Sequence, residues 1–205
     1  MNKISFNGKK VIIFDLDGTI VRLAADWNEL KNILVDKYSE LYDEHCSFKS
    51  VSACLSKIVE RNDEDVLHNF FDVIRQYELK NILENQPIEE VVFLINNKEE
   101  FDIEKGIKLA ILSLNTRETV ITSLKLAKVF QKFDFIVGRE DVRKWKPDPE
   151  GILKIQEKFK VKKEEMVYFG DLEKDILTGK NAGIKTYWVN DLIKWVRKKE
   201  DHRNK

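Results

Sequence analysis

The chain predicts an α/β fold: a Rossmann-like, doubly wound parallel sheet with a small all-helical domain inserted near its start. Three observations carry this. Short apolar runs end abruptly in polar residues, as at Val11–Phe14 before Asp15, Lys108–Leu112 before Ser113, and Met166–Gly170 before Asp171. Such continuous apolar runs mark strands buried on both faces of a parallel sheet. Stretches with helical periodicity separate them, which is the βαβ alternation. From about residue 21 to 85 the pattern is helical throughout, so residues 1–20 and 86–205 are expected to form the core domain and 21–85 the insertion. Neither repeats nor low-complexity linkers interrupt this pattern.

Element by element, Val11–Phe14 is the first strand, and Asp15-Leu16-Asp17-Gly18-Thr19 turns away from it. In open α/β sheets ligands bind beyond the carboxyl ends of the strands, so Asp15 belongs at a strand tip and Asp17 in the following turn. Gly18 permits a sharp turn and close approach of backbone to ligand. Paired carboxylates there suit acid/base chemistry, nucleophilic attack or a hard cation. Asp-x-Asp-Gly also occurs in ordinary turns. A calcium loop is excluded, because a strand precedes the motif and no Glu stands at its twelfth position.

In the insertion, Trp27, Leu30, Ile33, Leu34, Tyr38 and Leu41 share a helical face, with Asp26 as N-cap and Glu29 three later. Val51, Leu55, Ile58 and Val59 mark a second helix. A third opens at Asn62 or Asp63 and carries Val66, Leu67, Phe70, Phe71, Ile74 and Tyr77 on one face. Pro87 near the first helical position and Glu89-Glu90 in the first turn make 88–95 a helix despite its strand-like Val91-Val92-Phe93-Leu94-Ile95. Strands are then expected at 108–113, 133–137, 166–171 and 185–189, with helices over 117–130, from Lys146-Pro147-Asp148-Pro149 to 159, up to Gly183, and at the polar C-terminus, whose end should fray.

Composition bounds the function. At 205 residues the chain has room for one core plus a modest insertion. Its 36 basic and 36 acidic residues cancel, so no global field attracts nucleic acid or an anionic membrane. The charged fraction, 35%, exceeds the usual ~25%, as it would in a thermophile or under a Lys- and Asn-biased genome. Cys46 and Cys54 lack metal-site or redox spacing and read as reduced thiols, and His45, His68 and His202 are scattered. With no signal-like or membrane-length apolar run, a cytoplasmic protein is expected.

Polar residues thus end three strands: Asp15 and Asp17, Ser113, and Asp171 with Asp175 four beyond. Lys146 stands on a loop between the third and fourth. Singly, each has an ordinary explanation; their order at one sheet edge does not. Asp15-Leu16-Asp17-Gly18-Thr19-Ile20, Ser113 after Ile111-Leu112, Lys146 in Lys-Pro-Asp-Pro, and Gly170-Asp171-Leu172-Glu173-Lys174-Asp175 resemble the four motifs of the haloacid dehalogenase-like phosphohydrolases. The resemblance spans the whole chain, and the helical insertion is similar to the caps of phosphoglycolate phosphatases and β-phosphoglucomutase.

The resemblance implies roles. Asp15 would be the nucleophile, forming an aspartyl phosphate. Asp17 would protonate the leaving alcohol and then deprotonate water, which calls for a pKa nearer neutrality than a free aspartate. Ser113 and Lys146 would hold phosphoryl oxygens, with backbone N–H groups of Gly18, Thr19 and Leu114 as further donors. So many carboxylates would repel a phosphate unless a hard cation intervened, and oxygen ligands suit Mg²⁺. Its implied ligands are the Asp15 carboxylate, the Asp17 carbonyl and Asp171. Asp175 would orient bound water or ligate directly and would help position Lys146, and Glu173 could serve in the outer shell.

The chain departs from the family pattern in placing Leu114 between Ser113 and Asn115, and in ending with a helix where many relatives add a strand. The expected substrate is a small phosphorylated metabolite, phosphoglycolate-like or a sugar phosphate, set by the cap; Arg22, Trp27 and Lys31 near the hinge are candidates, with a structural or solvated role as the alternative for each. The expected protein is a monomer or homodimer. A phosphomutase shares every motif, but no Thr-x-x-Arg-Gly segment occurs. A non-catalytic phosphate-binding regulator would have lost Asp15 or Asp17. A dehalogenase has no need of the carboxylates at 17, 171 and 175.

Overall fold

A computed structural model describes residues 4–44 and 47–203, with the side chain of Arg203 left out; Cys46 and His45 lie outside the described residues. The first strand, β1 (Val11–Phe14), is completely buried. It is followed by β2 (Val21–Arg22), the inserted helices α1 (Trp27–Tyr42), α2 (Val51–Glu60) and α3 (Glu64–Lys80), and β3 (Gln86–Pro87). The core resumes with α4 (Glu89–Asn96), β4 (Lys108–Leu112), α5 (Arg117–Leu126), β5 (Phe135–Val137), α6 (Glu150–Phe159) and β6 (Met166–Gly170). It ends with α7 (Glu173–Ala182), β7 (Lys185–Trp188) and α8 (Val189–Arg203).

Five strands pair in parallel in the order β5-β4-β1-β6-β7. The chain builds outward from β1 through β4 to β5, then returns to β6 and β7, so the reversal falls beside β1. Crevices at such reversals are where doubly wound sheets bind ligands. Phe14 lies opposite Ile111 on one side and Phe169 on the other, which brings Asp15, Ser113 and Asp171 to one edge within a residue of level.

Alternation along β1 assigns its side chains to two cores. Ile12 and Phe14 pack with α4, α5 and α8 through residues such as Leu94, Leu124 and Val196. Phe14, Phe169 and Tyr187 stack across three adjacent strands at centroid spacings of 5.6 Å. Val11 and Ile13 face the other side, with Ile152 and Ile155 of α6, in a cluster that continues into the insertion through Leu34, Leu55 and Phe70. The Phe71 and Trp145 rings meet edge-on where the insertion rests on the core.

Local chemistry sets the helix ends. Asp26 accepts from Asn28 N and Glu29 N at the start of α1, Ser50 caps α2, and Asp63 caps α3. Gly183, at φ +74°, closes α7 in the left-handed conformation that ends many helices.

Four expectations need correction. Residues 21–85 are not wholly helical: Val21 pairs with Pro87 and Arg22 with Gln86, so the insertion leaves and re-enters through a two-stranded antiparallel ribbon. Pro87 therefore sits in that ribbon, and Ile88, which donates to Ile20 O, is the N-cap of α4. The helix expected to reach residue 130 ends at Leu126. Lys128 turns left-handed, and Val129 and Phe130 continue the same core from a 3₁₀ turn, which preserves the apolar period without the helix. The third strand begins at Phe135, because Asp134 is occupied in tying the start of β4. Finally, Val189 opens the last helix rather than closing a strand, and Leu192 and Val196 bury that helix in the core.

Candidate active site

The turn after β1 brings two carboxylates to the sheet edge with different surroundings. Asp15 is buried, its N–H held by Phe169 O at 2.9 Å. Lys146, from the loop before α6, lies between Asp15 Oδ1 at 2.8 Å and Asp175 Oδ1 at 2.7 Å, and all three side chains are almost fully enclosed. Tyr168 Oη donates to the same Asp175 oxygen at 2.7 Å, and Leu172 N donates to the other. Burial pulls the Lys146 ammonium down, but Asp15 and Asp175 outweigh it and hold its pKa above the ordinary lysine value. For Asp175, the lysine and its hydrogen bonds overcome burial and hold the carboxyl low. Asp15 is pushed up to about 7, chiefly by burial and then by Asp175 and Asp171, against the pull of Lys146.

Asp17 faces the insertion. Its Oδ1 accepts from Leu23 N at 2.9 Å and its Oδ2 from Trp27 Nε1 at 3.1 Å. Burial raises its pKa, and those two hydrogen bonds resist. A carboxyl lifted in this way can hold and release a proton nearer neutral pH.

Asp171 completes the acidic group. Asp15, Asp171 and Asp175 each place a carboxylate oxygen within 4.8 Å of the others. Burial, then Asp175 and Asp17, push Asp171 up to about 6. Gly18, at φ +73°, leaves room for this residue: a Cβ there would stand 2.2 Å from Asp171 Oδ2. Hard oxygen donors, mutual repulsion and an unpartnered Asp171 Oδ1 fit a divalent cation of the Mg²⁺ kind.

Ser113 is buried, donating through Oγ to Asn115 Oδ1 and accepting from Asn115 N. This local turn presents Leu114 and Asn115 to a cleft of about 250 Å³ into which Asp15, Asp17, Lys146 and Asp171 also open. Trp27 and Lys31 of α1 line its other side, whereas Arg22 does not reach it. Asp175 and Ser113 are buried next to lining residues, Asp175 on Lys146 and Ser113 on Asn115. Glu173 is exposed on the first turn of α7.

Sequence reasoning missed two buried charges. Glu78, on α3, accepts from Asn115 Nδ2 at 2.9 Å, Thr116 N at 2.9 Å and Thr116 Oγ1 at 2.8 Å. It occupies the apolar stripe of Leu67, Phe71 and Ile74, and a carboxylate at that spacing was the available signal. Arg139, in the loop after β5, lines the cleft with Nη2 4.0 Å from Glu78 Oε1. One of several charged residues in its loop, it carried no signal. Among the described residues, the buried side-chain polar atoms without a hydrogen-bond partner are Thr19 Oγ1, Asp171 Oδ1, and Nε and Nη1 of Arg139. All belong to loops at the carboxyl edge of the sheet.

A family model described as haloacid dehalogenase-like hydrolase matches residues 12–189. The chain is 31% identical over 188 residues to the pyrophosphatase PpaX of Halalkalibacterium halodurans, covering 89% of this chain and 84% of that one. It is 30% identical to PpaX of Bacillus mycoides over the same shares. Among solved structures, CbbY from Rhodobacter sphaeroides in complex with phosphate aligns with a TM-score of 0.62 at 16% identity, covering 88% and 85% of the two chains. A predicted phosphoglycolate phosphatase from Haemophilus somnus aligns at 0.59 and 18%, covering 89% and 88%. At those identities the structural matches speak for the fold.

Proposed function

The chain belongs to the haloacid dehalogenase-like hydrolase family and is a phosphatase within it, and from that premise we propose that it hydrolyses the phosphate monoester of a small metabolite with Mg²⁺ as cofactor. The observation that carries this reading is the enclosed Lys146 bridging Asp15 and Asp175, beside an Asp171 with an unpartnered oxygen. When bound by Asp15, Asp171 and the Asp17 carbonyl, with Asp175 orienting its water or ligating it, Mg²⁺ supplies charge neutralisation for the phosphoryl oxygens.

In this reading Asp15 attacks phosphorus, and the ester P–O bond breaks as Asp17 gives its proton to the departing alkoxide. Asp17 then takes a proton from water, whose oxygen displaces Asp15 from phosphorus and regenerates the carboxylate. Lys146 and Ser113 hold phosphoryl oxygens, the Ser113 hydroxyl turning from Asn115 to do so. The Leu114 N–H adds a donor, whereas those of Gly18 and Thr19, expected to do the same, already donate to Val21 O and Leu16 O within the turn. The helical insertion acts as a cap that keeps out competing water, and its Trp27 bond to Asp17 ties the acid/base to cap position.

A cleft of about 250 Å³ lies below the ~300–1,000 Å³ of drug-sized ligand sites, which favours phosphoglycolate-sized substrates or a small sugar phosphate. Identity to relatives named pyrophosphatase favours a second reading, attack on the phosphoanhydride of inorganic pyrophosphate by the same residues. We assign the protein to the cytoplasm as a monomer or homodimer. Balanced charge offers no attraction to nucleic acid or membrane, and no described helix is long and apolar enough to cross one.

The test is phosphate release from an aryl phosphate, phosphoglycolate, sugar phosphates and pyrophosphate, with Mg²⁺ or EDTA. Wild-type and Asp15→Asn proteins are assayed together. Metal-dependent release that falls more than about 10³-fold in Asp15→Asn is expected. Wild-type rates in that variant, or release untouched by EDTA, would overturn the proposal.

A further inference from the structure

We propose that Arg139 is the specificity-determining residue of this site, receiving a negatively charged part of the leaving group (a carboxylate or a second phosphoryl) on its guanidinium. This rests on the hydrolase reading above and narrows its substrate to doubly anionic compounds.

The backbone of Arg139 is fixed on both sides. Its N–H donates to Asn115 O at 2.8 Å, and its carbonyl accepts from Trp145 Nε1 at 2.9 Å. The side chain is 4% exposed, yet Nε and Nη1 have no partner and Nη2 stands 4.0 Å from Glu78. The Glu78 oxygens already accept three hydrogen bonds from Asn115 and Thr116. A buried guanidinium cannot escape its desolvation by losing a proton near neutral pH, and unmade hydrogen bonds to it are costly. The arrangement is therefore complete only when an acceptor arrives from the cleft that Arg139 lines.

That acceptor differs from the reacting phosphoryl group. Lys146 already bridges the carboxylates at the reacting end, whereas Arg139 makes no ion pair with Asp15, Asp171 or Asp175 among the described residues. Its planar fork matches a carboxylate or phosphoryl group with two parallel hydrogen bonds. In so small a cleft, a substrate of a few heavy atoms can engage both ends. A neutral sugar would leave the fork unfilled. Glu78 is a positioning residue supplied by the insertion, standing beside Arg139 and holding the Asn115–Thr116 loop.

Calorimetric titration at saturating Mg²⁺ tests this with two non-hydrolysable probes, phosphonoacetate and ethylphosphonate, which differ in a terminal carboxylate. Wild-type protein should bind phosphonoacetate about tenfold to a hundredfold more tightly, the range for charge-assisted hydrogen bonds. Arg139→Met should bring that ratio to within about threefold of unity, and Arg139→Lys, which keeps charge without the fork, should fall between. Equal wild-type affinities, or an unchanged ratio in the variants, would overturn the inference. Because Lys31, Lys49 and Lys174 also line the cleft, Arg139→Lys decides if Arg139→Met fails to fold, and a wild-type ratio in it would overturn the inference. Absent turnover of every phosphate compound with the ratio intact would count against the hydrolase reading and for the anion site.

Discussion

Lys146 is the residue on which the buried charges depend. It enters an enclosed space together with Asp15 and Asp175, and removing one partner of a buried ion pair leaves the others uncompensated. Lys146→Ala should therefore cost about 3–5 kcal/mol of stability as well as most of the turnover, checked by urea unfolding alongside phosphate release. A variant of wild-type stability would show that the carboxylates do not rely on it. The same carboxylates set a pH response. Asp15 and Asp171 titrate near 7 and 6 in the metal-free fold, above their range in an unfolded chain. Between about pH 4 and 7 the folded state thus binds protons that the unfolded state has released, and these two groups cost stability as pH rises through that window. A divalent cation at the same oxygens reverses this by competing with the protons. The melting temperature gained from Mg²⁺ relative to EDTA should grow from pH 5 to pH 7.5. An increment independent of pH would count against a cation at these carboxylates.

At the scale of elements, α3 does more than cover the core. Through Glu78 it holds Thr116 and Asn115 in the loop that follows β4, so a helix of the insertion fixes the segment carrying Ser113. Glu78→Ala should cost about 2–4 kcal/mol, since it strands several buried donors at once, and Glu78→Gln should recover part of that in the same unfolding assay. Equal losses in both variants would point to charge alone. The sequence carried some of this and not the rest. The caps at Asp26 and Asp63 were readable because a capping side chain acts within three residues of itself. The burial of Glu78 was missed, although its place on an apolar stripe offered a signal. Its partners left none, because Thr116 and Arg139 are distant in sequence and their meeting is tertiary. The ribbon of β2 and β3 escaped notice because two-residue strands show no period. The end of α5 was hidden by Val129 and Phe130, which keep the helical spacing of apolar groups after Lys128 has turned the chain left-handed.

For the whole molecule, a net charge of zero conceals a local imbalance. Lys31 and Lys49 from the insertion join Arg139, Lys146 and Lys174 in lining the cleft, against Asp15, Asp17 and Asp171. The lining thus carries more basic than acidic side chains, and a divalent cation there would add to that excess. Exposed charges are screened over ~8 Å at physiological salt. The kcat/KM for a phosphate dianion should therefore fall several-fold between about 50 and 500 mM salt, with kcat nearly steady. A double Lys31→Gln, Lys49→Gln variant should flatten that dependence, and a variant as salt-sensitive as wild type would place the attraction elsewhere. The parallel sheet and the meeting of Asp15, Ser113 and Asp171 at one edge were readable at this scale, because the apolar runs and the polar residues that end them are features of single segments. The sharing of one hydrophobic cluster between insertion and sheet was not, since it depends on how the two pack.

The pairing of Val21 with Pro87 and Arg22 with Gln86 has an evolutionary consequence. Because both passages of the chain cross at one closed doorway, everything between residues 22 and 86 behaves as a cassette. Its length and contents can be exchanged without re-threading the five-stranded sheet. Asp15, Asp17, Asp171 and Asp175 belong to the frame and would stay in place under such an exchange, while Trp27 and Glu78 would travel with the cassette. A transplanted insertion would therefore have to bring its own tether for Asp17 and its own counter-charge for Arg139.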